Sequence, residues 1–268
     1  MRGNRLRSDP AQLSLFDLSL AAAPSWPAIW TEGELLCFDL ETTGVDRFSD
    51  VPVSFALVRM RAGAILERTV RIVDPARPIP PEAIAIHGIT DERARREGMA
   101  LDQAVEVVVS ALVSASGLGV PVVGIKLDFD LTIVDVLSRA RDGRGLVDRG
   151  WRGPALDALV LDRHVDPYRP GRRTLVDLCR VYGVTMRQAH SAECDAEAAA
   201  AVLLAMGQQY EELSSTSAFE LHAAQAEYHR TWAVSYDRWR RSRGLVGLDP
   251  AEVCWPLAGP LGSEAGAA

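Results

Sequence analysis

Acidic residues at three places along the chain carry the chemistry that is most directly legible. Asp39 and Glu41 stand two apart in Phe38-Asp39-Leu40-Glu41-Thr42-Thr43-Gly44. Phe129-Asp130 follows much later, and His190-Ser191-Ala192-Glu193-Cys194-Asp195 sets a histidine and an aspartate with four residues between them. The apolar run Leu35–Phe38 reads as a buried strand. Residues i and i+2 of a strand share a face, so both carboxylates of the first segment point the same way. Carboxylates gathered in a buried place repel one another and lose hydration unless cations join them. All-oxygen ligand sets suit hard ions such as Mg²⁺ or Mn²⁺. Two such ions about 4 Å apart are the usual apparatus of in-line phosphodiester hydrolysis.

In order and spacing these segments resemble the DEDDh exonucleases, the group that includes the proofreading subunit of bacterial DNA polymerase III, ribonuclease T and oligoribonuclease. The resemblance covers roughly residues 33–210, and the His-x4-Asp spacing distinguishes it from the related branch with Tyr-x3-Asp. Ile86-His87-Gly88-Ile89-Thr90 matches a further segment common in the group. The resemblance implies that Asp39, Glu41, Asp130 and Asp195 hold two Mg²⁺ or Mn²⁺ ions. It makes His190 the general base that takes a proton from the attacking water, a task suited to an imidazole that titrates near neutral pH. Thr42, Thr43 and Phe129 match positions that line the terminal-nucleotide pocket of relatives. Thr42-Thr43-Gly44 also reads as turn chemistry after a strand, with Gly44 supplying a positive φ.

The implied activity is 3′→5′ release of nucleoside 5′-monophosphates from single-stranded or frayed DNA ends, in replication proofreading or repair. A 3′→5′ exoribonuclease is the rival on the same chemistry, because ribose selectivity rests on contacts to the 2′-hydroxyl. A catalytically dead clamp- or DNA-binding adaptor is the rival from another class. The sequence departs from the family at its second motif. Relatives carry Asn, often His-Asn, shortly before Phe-Asp; here Ile125-Lys126 stands in that place, and Lys126 is the only lysine of the chain. Lys126 is a candidate phosphate contact or a solvent-exposed side chain. Asp128 competes with Asp130, which is preferred because it follows Phe129.

A chain of 268 residues accommodates one domain of family size plus extensions. With 48% apolar and 24% charged residues it can bury an ordinary core. The net charge of −7 excludes coating DNA by bulk electrostatics. Arginines cluster at 93–96, 163–173 and 238–243, each cluster readable as a solvated face, with Arg172-Arg173 placed for strand contact ahead of a helix. Cys37, Cys179, Cys194 and Cys254 lack metal-ligand spacing and read as reduced thiols of a cytoplasmic protein. No stretch is apolar enough to span a membrane, and Asp9, Pro10, Gln12 and Asp17 interrupt the only signal-like segment.

The expected fold is α/β, a ribonuclease-H-like mixed sheet flanked by helices, with Asp39 and Glu41 on its central strand. Strands are expected near 34–40, 51–61, 65–73, 120–125 and 156–160, and helices over 101–112, 129–140, 175–182 and 192–210. Residues 31–212 form the expected exonuclease domain. Leu221, Ala224, Tyr228, Trp232, Tyr236 and Trp239 recur three or four apart, which predicts an amphipathic helix over 213–243 that packs through that stripe on the catalytic domain, or alternatively on a partner. Residues 244–268, rich in Gly, Pro and Ala, are expected to be poorly ordered.

Residues 1–30 read as a flexible tail. Within it Gln12-Leu13-Ser14-Leu15-Phe16 resembles the peptide by which bacterial polymerases and repair enzymes bind the sliding clamp. Gln12, Leu13, Leu15 and Phe16 are its candidate partner-binding residues, a flexible tether carrying apolar anchors for a preformed groove. The alternative is a short amphipathic segment folded back on the domain.

Overall fold

The computed structural model describes residues 29–186 and 191–258. Strands β1 (Glu34–Thr42), β2 (Pro52–Arg61) and β3 (Ala64–Asp74) form an antiparallel meander. Three short strands, β4 (Met99–Ala100), β5 (Val122–Gly124) and β6 (Ala155–Asp157), extend it in parallel pairings. The sheet order is β4-β3-β2-β1-β5-β6, which places β1 inside a mixed sheet.

The two-residue period of β1 decides what meets the site. Leu36, Phe38 and Leu40 point into one core, built with α3 (Leu101–Gly117) and α4 (Leu127–Asp142). Leu35 and Cys37 point into the other, built with α5 (Ala158–Val165), α6 (Leu175–Val181) and α7 (Ala192–Gln209). Asp39 and Glu41 continue the Leu35–Cys37 face beyond its apolar part, so they emerge beside α7. Buried Ala196, Ala198, Ala199 and Ala200 keep α7 slim where it lies on the sheet. This is the ribonuclease-H-like architecture the motifs imply.

Gly124 lets β5 and β1 close on each other. A Cβ there would stand 2.8 Å from the Phe38 carbonyl oxygen and 2.7 Å from Leu127 Cδ2. Between β3 and β4 the chain forms α1 (Pro81–His87) and α2 (Asp91–Glu97). The prolines that end the sheet also start a helix, since Pro81 occupies a first-turn position where its missing N–H costs nothing.

Three expectations need correction. Residues 158–160 are helical rather than strand: the Asp157 carboxylate accepts from Leu159 N at 2.8 Å and caps α5 as β6 ends. The C-terminal helix, α9 (Ala218–Ser242), follows a short α8 (Glu211–Ser214) and buries Leu221, Gln225, His229 and Ala233, not the expected aromatic stripe. Gln225 is inside because its amide completes the edge of β6, accepting from Asp157 N at 2.7 Å and donating to the Ala155 carbonyl at 2.9 Å. Residues 244–258 are structured against the domain: Pro250–Val253 form a 3-10 helix, Trp255 enters the core, and Ala258 N donates to Thr132 Oγ1 at 3.0 Å. Among the described residues no helix is long and apolar enough to cross a membrane.

Candidate metal centre

Asp39 and Glu41 at the end of β1 meet Asp195 from the first turn of α7, with one carboxylate oxygen from each all within 4.8 Å of one another. A register shift between Glu41 and Thr42 bends the strand just where it leaves the sheet. Asp130 projects from the first turn of α4, is 4% exposed, and adds its field to the same cluster without joining the tight trio.

The electrostatics are those of a site built for cations. Burial, then the charges of Asp130, Asp195 and Glu41, hold the Asp39 carboxyl well above the ordinary range. Burial, then Asp128, Asp157 and Glu41, raise Asp130 likewise, while Lys126 opposes the rise. Burial and Asp195 push Glu41 to about 7, and Glu41 Oε1 is buried without a hydrogen-bond partner. Mutually repelling oxygens, one of them orphaned, fit hard divalent cations, whose charge would reverse the sign of the local field.

Asp128 is excluded from the cluster by its own partner. Its carboxylate pairs with Arg47 at 2.6 Å, both side chains being largely buried. Lys126 is exposed and sits at φ 57°, the left-handed region that Asn tolerates and Lys rarely adopts, directly ahead of α4. Its backbone N–H and that of Leu127 donate to the two Asp157 oxygens at 3.1 and 2.9 Å, which fixes where the Asp130 helix begins.

The turn after β1 resolves the Thr-Thr-Gly segment. Thr43 is buried, and its hydroxyl donates to Asp50 Oδ1 at 2.7 Å and accepts from Val51 N at 3.2 Å. Thr42 Oγ1 donates to the Gly44 carbonyl at 2.6 Å. Gly44 does not adopt a positive φ; a Cβ there would stand 2.5 Å from Asp50 Oδ2, the end of a side chain held by Thr43 Oγ1 and Asp46 N. Thr43 therefore serves the turn, while Thr42, next to Glu41 in the chain, is half-buried, as is Phe129, which precedes Asp130 and packs against the core that α3 and α4 share. His87 adds a further ring: Ile89 N donates to its Nδ1 at 3.0 Å, and burial lowers its pKa, which favours the neutral form.

Of the arginines placed for strand contact, Arg173 is engaged inside the protein. It pairs with the fully buried Asp162, which also binds Arg169 at 2.6 Å and accepts from Tyr182 Oη at 2.8 Å. Arg172 is exposed. His190 lies outside the described residues, as do Gln12, Leu13, Leu15 and Phe16. Sequence reasoning missed Arg47 and Asp157. An Asp immediately before the apolar run 158–161 is a helix-start signal that could have revealed the second; Arg47 has no comparable signal.

The exonuclease family matches residues 36–113 of this chain. The chain is similar to PolC-type DNA polymerase III of Lacticaseibacillus paracasei, 29% identical over 180 residues that make up 67% of this chain and 12% of that protein. The corresponding protein of Bacillus subtilis is 28% identical over 176 residues, 65% of this chain and 11% of the relative. The match thus spans only about an eighth of those relatives. Among solved structures, an exonuclease I superposes with TM-score 0.58 at 23% identity, over 67% of this chain and 42% of that one. E. coli exonuclease I in complex with a dT13 oligonucleotide gives TM-score 0.57 at 22% identity over the same shares. At this identity the superpositions establish the fold.

Proposed function

We propose that this chain is a DEDDh-type 3′–5′ exonuclease, a reading supported by the exonuclease family's match to residues 36–113 and by the similarity to PolC-type polymerases, and that it hydrolyses the terminal phosphodiester bond at the 3′ end of single-stranded or frayed DNA. The single observation that carries this reading is the meeting of Asp39, Glu41 and Asp195 within 4.8 Å, from a strand and a helix on which the family motifs fall. The relatives are PolC-type DNA polymerases III, and structural neighbours were solved with DNA oligonucleotides, which favours DNA over RNA as substrate.

Asp39, Glu41, Asp130 and Asp195 would hold two Mg²⁺ or Mn²⁺ ions. Bound there, the ions supply Lewis-acid stabilisation of the charge that develops on the scissile phosphate. His190 takes the proton of the attacking water as general base. Thr42 and Phe129 flank the terminal nucleotide. Asp128, neutralised by Arg47, and Asp157, holding the entry to α4, position Asp130 without touching substrate. The products are a nucleoside 5′-monophosphate and a strand shorter by one residue with a free 3′-hydroxyl.

The segment Gln12–Phe16 is assigned to sliding-clamp binding, which would concentrate the nuclease at replicating or repaired DNA. The experiment that tests the function uses full-length protein and 5′-labelled single strands of DNA and RNA with Mg²⁺. The expected result is a ladder shortening from the 3′ end, faster on DNA, with monophosphates released. Cleavage inside a circular single strand would contradict it.

A further inference from the structure

Helix α9 carries a second surface that the catalytic reading does not use. Tyr228, Trp232, Tyr236 and Trp239 lie three or four apart and so form one stripe. Tyr228 stacks on His164 of α5, with ring centroids 3.5 Å apart at 7°. The next three rings stack on one another, Trp232 on Tyr236 at 5.1 Å and 17°, and Tyr236 on Trp239 at 5.6 Å and 12°. Trp232 and Tyr236 are only part-buried, and Trp239 is 48% exposed. Rings that serve only as core are not left in an ordered row at the surface.

Cations accompany the row. The Arg163 guanidinium from α5 lies 3.3 Å from the Trp232 ring centroid. Arg240 lies 5.7 Å from Tyr236, and Arg243 lies 6.0 Å from Trp239. Residues 228–243 contain five arginines and a single acidic residue, Asp237, in a chain whose net charge is −7. Arg163 makes no ion pair among the described residues; burial lowers its pKa to about 10, which still leaves it charged at neutral pH.

The row is also connected to the carboxylate cluster. Helix α5, which bears Arg163, begins at the Asp157 cap, and Asp157 holds the backbone of Lys126 and Leu127 at the entry to the Asp130 helix. From Tyr228 to Arg243 the stripe runs about 22 Å along α9. Flat π faces interleaved with fixed positive charge are what a single strand requires, bases on the rings and phosphates on the guanidinium groups. A protein partner fits less well, because a surface with so strong a local excess of arginine selects a polyanion.

We propose that the α9 stripe is a binding platform for the upstream part of a single-stranded DNA, with bases stacking along Tyr236 and Trp239 and phosphates held by Arg240 and Arg243. The proposal deepens the exonuclease reading and rests on it for the identity of the strand. The platform makes affinity depend on strand length: a strand long enough to engage α9 should bind more tightly than a trinucleotide.

The test compares full-length wild type with Tyr236→Ala/Trp239→Ala. Binding of fluorescein-labelled dT20 is followed by anisotropy in EDTA, and turnover of dT20 and of dT3 is followed with Mg²⁺. The double variant should bind dT20 roughly tenfold or more weakly, with KM for dT20 raised in parallel and dT3 turnover unchanged. Tyr236→Phe/Trp239→Phe should restore binding. Arg240→Ala/Arg243→Ala should reduce the slope of log affinity against log salt by about one to two. Wild-type dT20 affinity in the alanine variant, or a salt slope unmoved by the arginine variant, would overturn the platform. If the alanine pair fails to fold, the arginine pair decides. Absence of cleavage by wild type, with dT20 binding still dependent on the rings, would sink the nuclease reading and leave the platform standing.

Discussion

The carboxylates of Asp39 and Asp195, one on the central strand and the other on a helix far later in the chain, offer oxygens within 4.8 Å of each other. Long-range packing brings them together. The Leu35–Cys37 face of β1 and the alanine face of α7 pack together, and the acids are carried to the end of that contact. The site is a by-product of core packing in position, and a liability in charge until cations arrive.

That liability has a pH dependence. Glu41 is raised from 4.5 to about 7 in the folded protein, and Asp39 and Asp130 are raised as well. A carboxyl whose folded pKa exceeds its unfolded value adds stability below the unfolded pKa and loses it as pH rises through the folded one. In EDTA, the melting temperature should therefore fall as pH rises from about 4.5 to about 7. Saturating Mg²⁺ or Mn²⁺ should remove most of that fall, because the ions bind the ionised folded form. Thermal melts across this range in both conditions check it; identical pH profiles with and without metal would contradict it.

His190→Ala should lower kcat by about 10²–10⁴ if the imidazole is the general base. Mn²⁺ affinity measured by calorimetry should be unchanged, because His190 is assigned to the water and not to the metal. Lost metal affinity would make it a ligand or a structural residue.

The Asp162 network should prove structural. Asp162 is fully buried and is held by Arg169, Arg173 and Tyr182. Asp162→Ala leaves two guanidinium groups unpaired and should cost about 3–5 kcal/mol in chemical denaturation. At a temperature where the variant remains folded, kcat on a short oligonucleotide should match wild type. A loss below 1 kcal/mol would contradict the assignment.

Much of the site was legible because the strand period and the motif spacings are local. The shared face of Asp39 and Glu41 follows from the two-residue alternation, whereas Asp130 and Asp195 were legible only through the motif resemblance, and of these two only Asp195 joins the tight trio. Where long-range hydrogen bonds override local pattern, legibility ended. Leu156–Val160 has a strand-like composition, but Asp157 turns it into a helix. Gln225 and His229 break the apolar stripe of α9, yet they are buried because β6 and the Glu252 carbonyl supply their partners. Gly44 followed the rule for turns in identity but not in reason, since what it avoids is the Asp50 side chain, seated against the turn by tertiary structure. Trp255 stands in a stretch of loop composition, and only the assembled core shows where it goes.

The N-terminal segment yields a separable prediction. Leu15→Ala with Phe16→Ala should abolish binding of full-length protein to purified bacterial sliding clamp, because apolar anchors carry most of the energy of such grooves. Cleavage of a short free oligonucleotide should be unchanged. A labelled peptide of residues 8–20 that fails to bind at high micromolar clamp would leave the folded-back alternative as the better account.

The most direct test of the two-metal assignment is the initial rate of 3′-terminal cleavage of a single-stranded DNA by wild type and Asp39→Asn, titrated with Mn²⁺ from an EDTA-treated start. Wild type should be inactive without metal and rise to saturation with it. Asp39→Asn, folded by circular dichroism, should remain orders of magnitude slower at every concentration. Undiminished cleavage by Asp39→Asn, or full wild-type activity in EDTA, would contradict the assignment of this carboxylate cluster as the catalytic metal centre.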